Sequence, residues 1–191
     1  MACHYMDLAF WALDLAHPVS VAADGPAPDV EVAPTWLTLA YEFPARQDLP
    51  AVKLHWYDGT TGVDRFAQTA GKSWNGWRNG VLFIGDQGEL IADYTRHESR
   101  AHDPAATIAA PPPFIPESIG HHAEWIKACK EGGATSCGFA YAGPLTEAVL
   151  LGAVAYRSGQ RIHWDGKAFK VTGAPTAEAM LTRDYRKGWE I

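Results

Sequence analysis

Strand signals in this chain are gathered into one block, with helical signals before and after it, and that order constrains the fold more than any single motif. Between Thr35 and Phe43, Leu37, Leu39, Tyr41 and Phe43 alternate with Trp36, Thr38, Ala40 and Glu42. This period of two is the mark of a strand with two different faces. The alternation resumes at Val52–Tyr57 after a loop from Pro44 to Pro50. Val19–Ala23 reads as a further strand, and Val81–Ile84 with Glu89–Tyr94 flank Gly85-Asp86-Gln87-Gly88 as a hairpin. Arg161–Trp164 and Lys167–Val171 read as a last small hairpin around Asp165-Gly166. Strands that do not alternate with helices cannot build a doubly wound parallel sheet. The expectation is an α+β fold, an open and mostly antiparallel sheet with helices packed on one face, in a single domain over residues 1–191.

Three helices fit around that block. Ala2 to Leu15 carries Met6, Phe10 and Leu13 on one stripe and His4, Asp7 and Trp11 on another, and His17-Pro18 ends it. Ser118 can cap a helix to Glu131, with Ile119, His122, Ile126 and Cys129 on one side and Gly132-Gly133 as its stop. Pro144 suits the first turn of a helix from Leu145 to Arg157, which is apolar nearly all round and is expected to be covered on both sides. Residues 58–79 and 98–117 read as irregular.

Composition excludes several classes. With 47% hydrophobic and 20% charged residues among 191, the chain can bury a core of ordinary size. The net charge is −6, with eight acids against two bases in residues 1–60 and no Lys/Arg block anywhere, so a nucleic-acid partner is not expected. No run of eighteen apolar residues predicts a membrane span. Three scattered cysteines, Cys3, Cys129 and Cys137, form no disulfide framework, which makes a reducing, cytoplasmic compartment the default.

Few motifs carry chemistry. No G-x-G-x-x-G occurs, and Gly71-Lys72-Ser73 lacks the first glycine of a P-loop because position 66 is Phe66. His121, His122 and Glu124 are too closely spaced on a helix to chelate one ion, so no metal is expected. No serine sits in a nucleophile elbow. His4 and Asp7, three apart on a helix, are the pair of greatest interest, since the carboxylate can orient the imidazole and fix its tautomer. Such an imidazole can take a proton from an alcohol, although from the spacing alone a His–Asp contact with a purely structural role is the stronger reading. Trp74 and Trp77 could stack on a sugar ring, or pack onto the sheet.

Taken in order, several segments resemble the C-terminal domain of the glucose–fructose oxidoreductase/inositol dehydrogenase (Gfo/Idh/MocA) family. They are Ala2-Cys3-His4-Tyr5-Met6-Asp7 running on to Leu13, Leu82-Phe83-Ile84-Gly85-Asp86-Gln87-Gly88-Glu89-Leu90, Ser118-Ile119-Gly120-His121-His122-Ala123-Glu124-Trp125-Ile126, Leu145-Thr146-Glu147-Ala148-Val149-Leu150-Leu151-Gly152 and Asp184-Tyr185-Arg186-Lys187-Gly188-Trp189. The resemblance extends over almost the whole chain. It implies a parent enzyme whose N-terminal Rossmann domain binds NAD or NADP, with this half supplying a sugar or polyol pocket and an oligomer interface. His4 falls on the family's acid/base histidine, and Asp7 on an acidic position three residues after it. The family's catalytic aspartate would lie one residue before Met1, and its lysine belongs to the nucleotide-binding half. The resemblance therefore implies that Met1 is an internal methionine of a longer parent, and that this chain alone binds no cofactor and does not turn over. A homo-oligomer is expected through the sheet face, because Trp36, Leu37, Leu39 and Tyr41, and Leu54, Trp56 and Tyr57, put apolar or aromatic side chains on both faces of their strands. The alternative is a non-catalytic carbohydrate-binding or assembly module built on the same sheet.

Overall fold

The computed structural model describes residues 1–59, 64–68, 74, 76, 77 and 79–190. The fold is α+β, with two antiparallel sheets, both open. The elements run α1 (Ala2–Ala12), β1 (Ser20–Asp24), β2 (Trp36–Phe43), β3 (Val52–Gly59), β4 (Val81–Ile84), β5 (Gly88–Ala92), β6 (His97–Ala101), α2 (His121–Glu131), α3 (Phe139–Ser158), β7 (Ile162–Asp165), β8 (Lys170–Thr172) and α4 (Pro175–Glu178). Two compact units result: Met1–Asn79 with Pro144–Ile191, and Gly80–Gly143.

In the first unit the strands are ordered β3-β2-β1-β7-β8. Directly opposed residues of an antiparallel ladder share a face. The register Val21↔Tyr41, Tyr41↔Leu54, Leu39↔Trp56 and Val21↔Ile162 therefore gathers the large apolar side chains on one side. Helices cover that side. Phe10 of α1 meets Phe43 edge-on, with ring centroids 5.5 Å apart, while Met6, Ala9 and Phe10 are buried. On α3 the buried residues are Leu145, Ala148, Leu151, Gly152, Ala155 and Tyr156, a single helical stripe. Leu150 on the opposite side stays 60% exposed, so the helix is covered on one side rather than two. By length and composition α3 could cross a membrane. Its buried stripe on the sheet instead gives it the pattern of a core helix.

Gly152 is a point of close approach between α3 and β2. A Cβ there would overlap the Tyr41 hydroxyl and a Leu39 methyl. The Tyr41 hydroxyl is itself fully buried and, among the described residues, has no hydrogen-bond partner. Burial pushes its pKa up, with a smaller contribution from the nearby Cys3. Gly152→Ala would ordinarily favour a helix by about 1 kcal/mol. Here overpacking costs about 1–3 kcal/mol and should prevail. Tyr41→Phe removes the oxygen in the way and an unsatisfied polar group, so alone it should be neutral or stabilising. In urea denaturation the double variant is expected to fall well short of the summed losses. A Gly152→Ala protein more stable than its parent would show that α3 does not pack this closely.

Local departures from the sequence reading have local causes. α1 stops at Ala12, and Asp14 follows with a positive φ of 49° that turns the chain out of the helix. α3 begins at Phe139, five residues before Pro144, which therefore lies inside the helix instead of opening it. The missing amide costs only one bond, and the following turns are held by packing.

In the second unit β4-β5-β6 form a meander, and His97–Ala101 is a strand where the sequence looked irregular. β6 carries charged and polar residues on both faces, which erased its alternation. α2 starts at His121, with Ser118 accepting a hydrogen bond from the Gly120 amide (3.1 Å) rather than capping the helix directly. Glu124 receives both the amide and the hydroxyl of Ser136 (2.9 and 2.8 Å), folding the segment after α2 back onto it. No residue of α2 is buried, so Ile126 and Cys129 on the expected stripe lie exposed.

Candidate functional site

His4 lies in the first turn of α1 and is exposed, and Asp7 lies one turn later and is half-buried. The buried triad Met6, Ala9 and Phe10 seats the opposite side of the helix on the sheet, so both polar side chains are turned from the core. Among the described residues no hydrogen bond joins His4 to Asp7. Helical spacing made them neighbours, but neighbouring side chains bond only if their rotamers converge. Trp74 and Trp77 are 3% and 8% exposed, with the Trp77 amide donating to the Trp74 carbonyl at 3.3 Å. In this conformation neither indole offers a face to a ligand. Gly71, Lys72 and Ser73 lie outside the described residues.

Among the described residues every paired strand is antiparallel, so these strands form no βαβ crossover of the kind that aims a helix N-terminus at a pyrophosphate. Among the described residues no group of three His, Cys, Asp or Glu side chains could hold a metal ion.

Two polar clusters appear that sequence reading missed. The first lies on the outer face of the five-stranded sheet. The Ser20 hydroxyl, 2% exposed as a residue, donates to Glu42 Oε2 at 2.7 Å and accepts from Arg161 Nη1 at 3.1 Å. The Ser20 hydrogen bond pulls the Glu42 carboxyl below its ordinary pKa against the opposing effect of burial, and Arg161, Lys53 and His163 add to the lowering. At the other end of this face, the guanidinium of Arg65 lies 4.7 Å over the Trp36 ring and bonds Asp24 and Thr38. Of the aromatic and apolar residues expected on both faces, only Trp36 and Tyr57 fall here by register. The outer face is accordingly more polar than the alternation suggested.

The second cluster joins three elements. His17 Nδ1 lies 2.7 Å from Glu147 Oε1, and Trp164 Nε1 donates to the same oxygen at 2.6 Å. Glu147 comes from α3 with a side chain only 12% exposed, whereas the His17 side chain is 39% exposed. A signal was available in the sequence. Glu147 is the one charged residue in the stretch from Leu145 to Tyr156, which is apolar apart from Thr146, and a lone carboxylate on such a helix needs a partner. What could not be read was which of eight histidines supplies it.

No family model matches this chain, and no curated protein matches it either.

Proposed function

We propose that this chain is the substrate-side and oligomerisation half of an NAD(P)-dependent sugar or polyol oxidoreductase, with His4 as the acid/base at the reacting hydroxyl. The observation that carries the reading is the placement of His4: exposed at the open end of a helix whose other side is locked to the sheet. An imidazole held there can exchange a proton with a bound alcohol without first being freed from the core. The resemblance of the ordered segments from Ala2 to Trp189 supplies the reaction class. Nucleotide binding belongs to a partner domain in this reading.

The test is a turnover assay with NAD(P) and a panel of sugars and polyols. It is run on the 191-residue chain and on the chain extended upstream along its own reading frame. Turnover confined to the extended protein is the expected result. Turnover by the 191-residue chain alone would overturn it.

The outer sheet face favours assembly as the second role, whether or not the chain is catalytic. It sets Glu42 opposite Lys53 and leaves the β3 edge unpaired among the described residues. Opposite charges on one face are compatible with a self-complementary two-fold contact between identical copies. A dimer or larger assembly at micromolar concentration is expected by light scattering, and a monomer there would remove this role.

A further inference from the structure

We infer that the β1–β2 loop of one copy docks onto the C-terminal tail of a second copy of this chain, its acids against the tail's arginines and Val30 against the tail's aromatic rings. This surface is separate from the outer sheet face. The inference rests neither on that face nor on the oxidoreductase reading.

The loop runs from Gly25 to Thr35 and contains two acids and no base. Pro26, Pro28 and Pro34 fix φ at three of its positions. Asp29 Oδ1 accepts the amides of Glu31 (2.7 Å) and Val32 (3.0 Å), which ties the tip into a turn. Those two bonds hold the Asp29 carboxyl below its ordinary pKa, so it is charged at neutral pH. Among the described residues neither Asp29 nor Glu31 forms an ion pair. Val30 and Val32 are 83% and 67% exposed. Bare valines interleaved with carboxylates give the tip both an apolar and an anionic handle.

The tail after α4 carries the opposite set. Arg183 lies over the Tyr185 ring and Arg186 over the Trp189 ring, 5.1 and 5.0 Å from the centroids. The Trp189 amide donates to the Arg186 carbonyl at 2.9 Å and closes a turn in which Gly188 has a φ of 85°. A cup of about 320 Å³ opens among Arg183, Asp184, Tyr185, Arg186 and Trp189. Stacking occupies the face of a guanidinium and leaves its N–H edge for a carboxylate. Among the described residues Arg183, Arg186 and Lys187 form no ion pair. They outnumber the tail acids Asp184 and Glu190, and Glu190 already accepts the Gly188 amide at 2.8 Å.

Loop and tail do not cover each other within one chain, where Trp189 is 67% exposed. The chain therefore holds both halves of the contact, and a second copy supplies the complement of each. Under a two-fold axis the contact forms twice, loop to tail and tail to loop. Val30 lies between Asp29 and Glu31, so an isopropyl group seated in the cup brings a carboxylate toward Arg183 and Arg186 on either side.

The test follows the Val30 methyl resonances of the full chain, assigned by their loss in Val30→Ala, over a dilution series. They are expected to move with concentration between about 10 µM and 1 mM and to saturate. Arg186→Glu sets a further acid against the loop and should weaken the association by at least about tenfold. Adding Glu31→Lys to it reverses both partners and should restore most of the loss. Both residues are exposed, so neither replacement touches the core. Val30 methyls that do not move with concentration would overturn the contact. So would association as tight in Arg186→Glu as in the parent, or no recovery in the double variant. Light scattering reads total assembly, whereas these resonances read the loop alone. A protein that assembles while the Val30 methyls stay fixed keeps the outer-face role and loses this one.

Discussion

Phe10→Ala should destabilise the first unit by about 3–5 kcal/mol, a large part of the 5–15 kcal/mol that holds a typical domain together. Phe10 is 1% exposed and meets Phe43 edge-on, and Phe43 and the Tyr41 ring stacked on it are 2% and 0% exposed. The void cannot close easily. Both rings sit on β2, which is laddered to β1 on one side and β3 on the other, so a shift of either would break register along eight residues. Urea unfolding followed by far-ultraviolet circular dichroism measures the loss as a lower midpoint at unchanged slope. Phe10→Leu, which keeps most of the volume, should lose much less. A loss below about 1 kcal/mol for the alanine variant would mean that α1 is not anchored on the sheet through this residue.

If the proposed function holds, His4→Ala should lower kcat of a protein extended upstream to carry the nucleotide-binding half by a factor of about 10²–10⁴, the contribution of one well-placed general acid or base. KM should change little, because a group acting on the proton of the reacting hydroxyl matters most in the transition state. Stability should also change little, since His4 is exposed and makes no contact that the core needs. This separation distinguishes the two variants. Phe10→Ala affects folding, and His4→Ala affects turnover in a protein that unfolds at the parental midpoint. Equal turnover by His4→Ala and the parent would remove His4 from the chemistry while leaving the fold intact.

The strands legible in the sequence are those that bury one side. β2 announced itself because Leu39, Tyr41 and Phe43 face the helices while Thr38, Ala40 and Glu42 do not. β6 did not, because His97, Glu98, Ser99 and Arg100 are all exposed and no alternation survives. α3 looked apolar on every side because alanine and glycine count as apolar wherever they point. The structure separates Ala148 and Ala155, which are buried, from Ala153, which is exposed. His4 and Asp7 were found by helical spacing, which sets proximity but not the rotamers on which a hydrogen bond depends.

The sequence by itself determined the class of fold: strands in one block, helices around it, antiparallel pairing, and the apolar face of each long strand. These follow from periods of two and of 3.6, which are local properties of the chain. Only the tertiary structure decided what meets across distance. It brought Gly152 against Tyr41, placed Ser20 beside Glu42 and Arg161, and set His17 on Glu147 across 130 residues. The physical reason is that a periodicity specifies which side of an element is buried, whereas the partner buried against it depends on the register and packing of the whole unit.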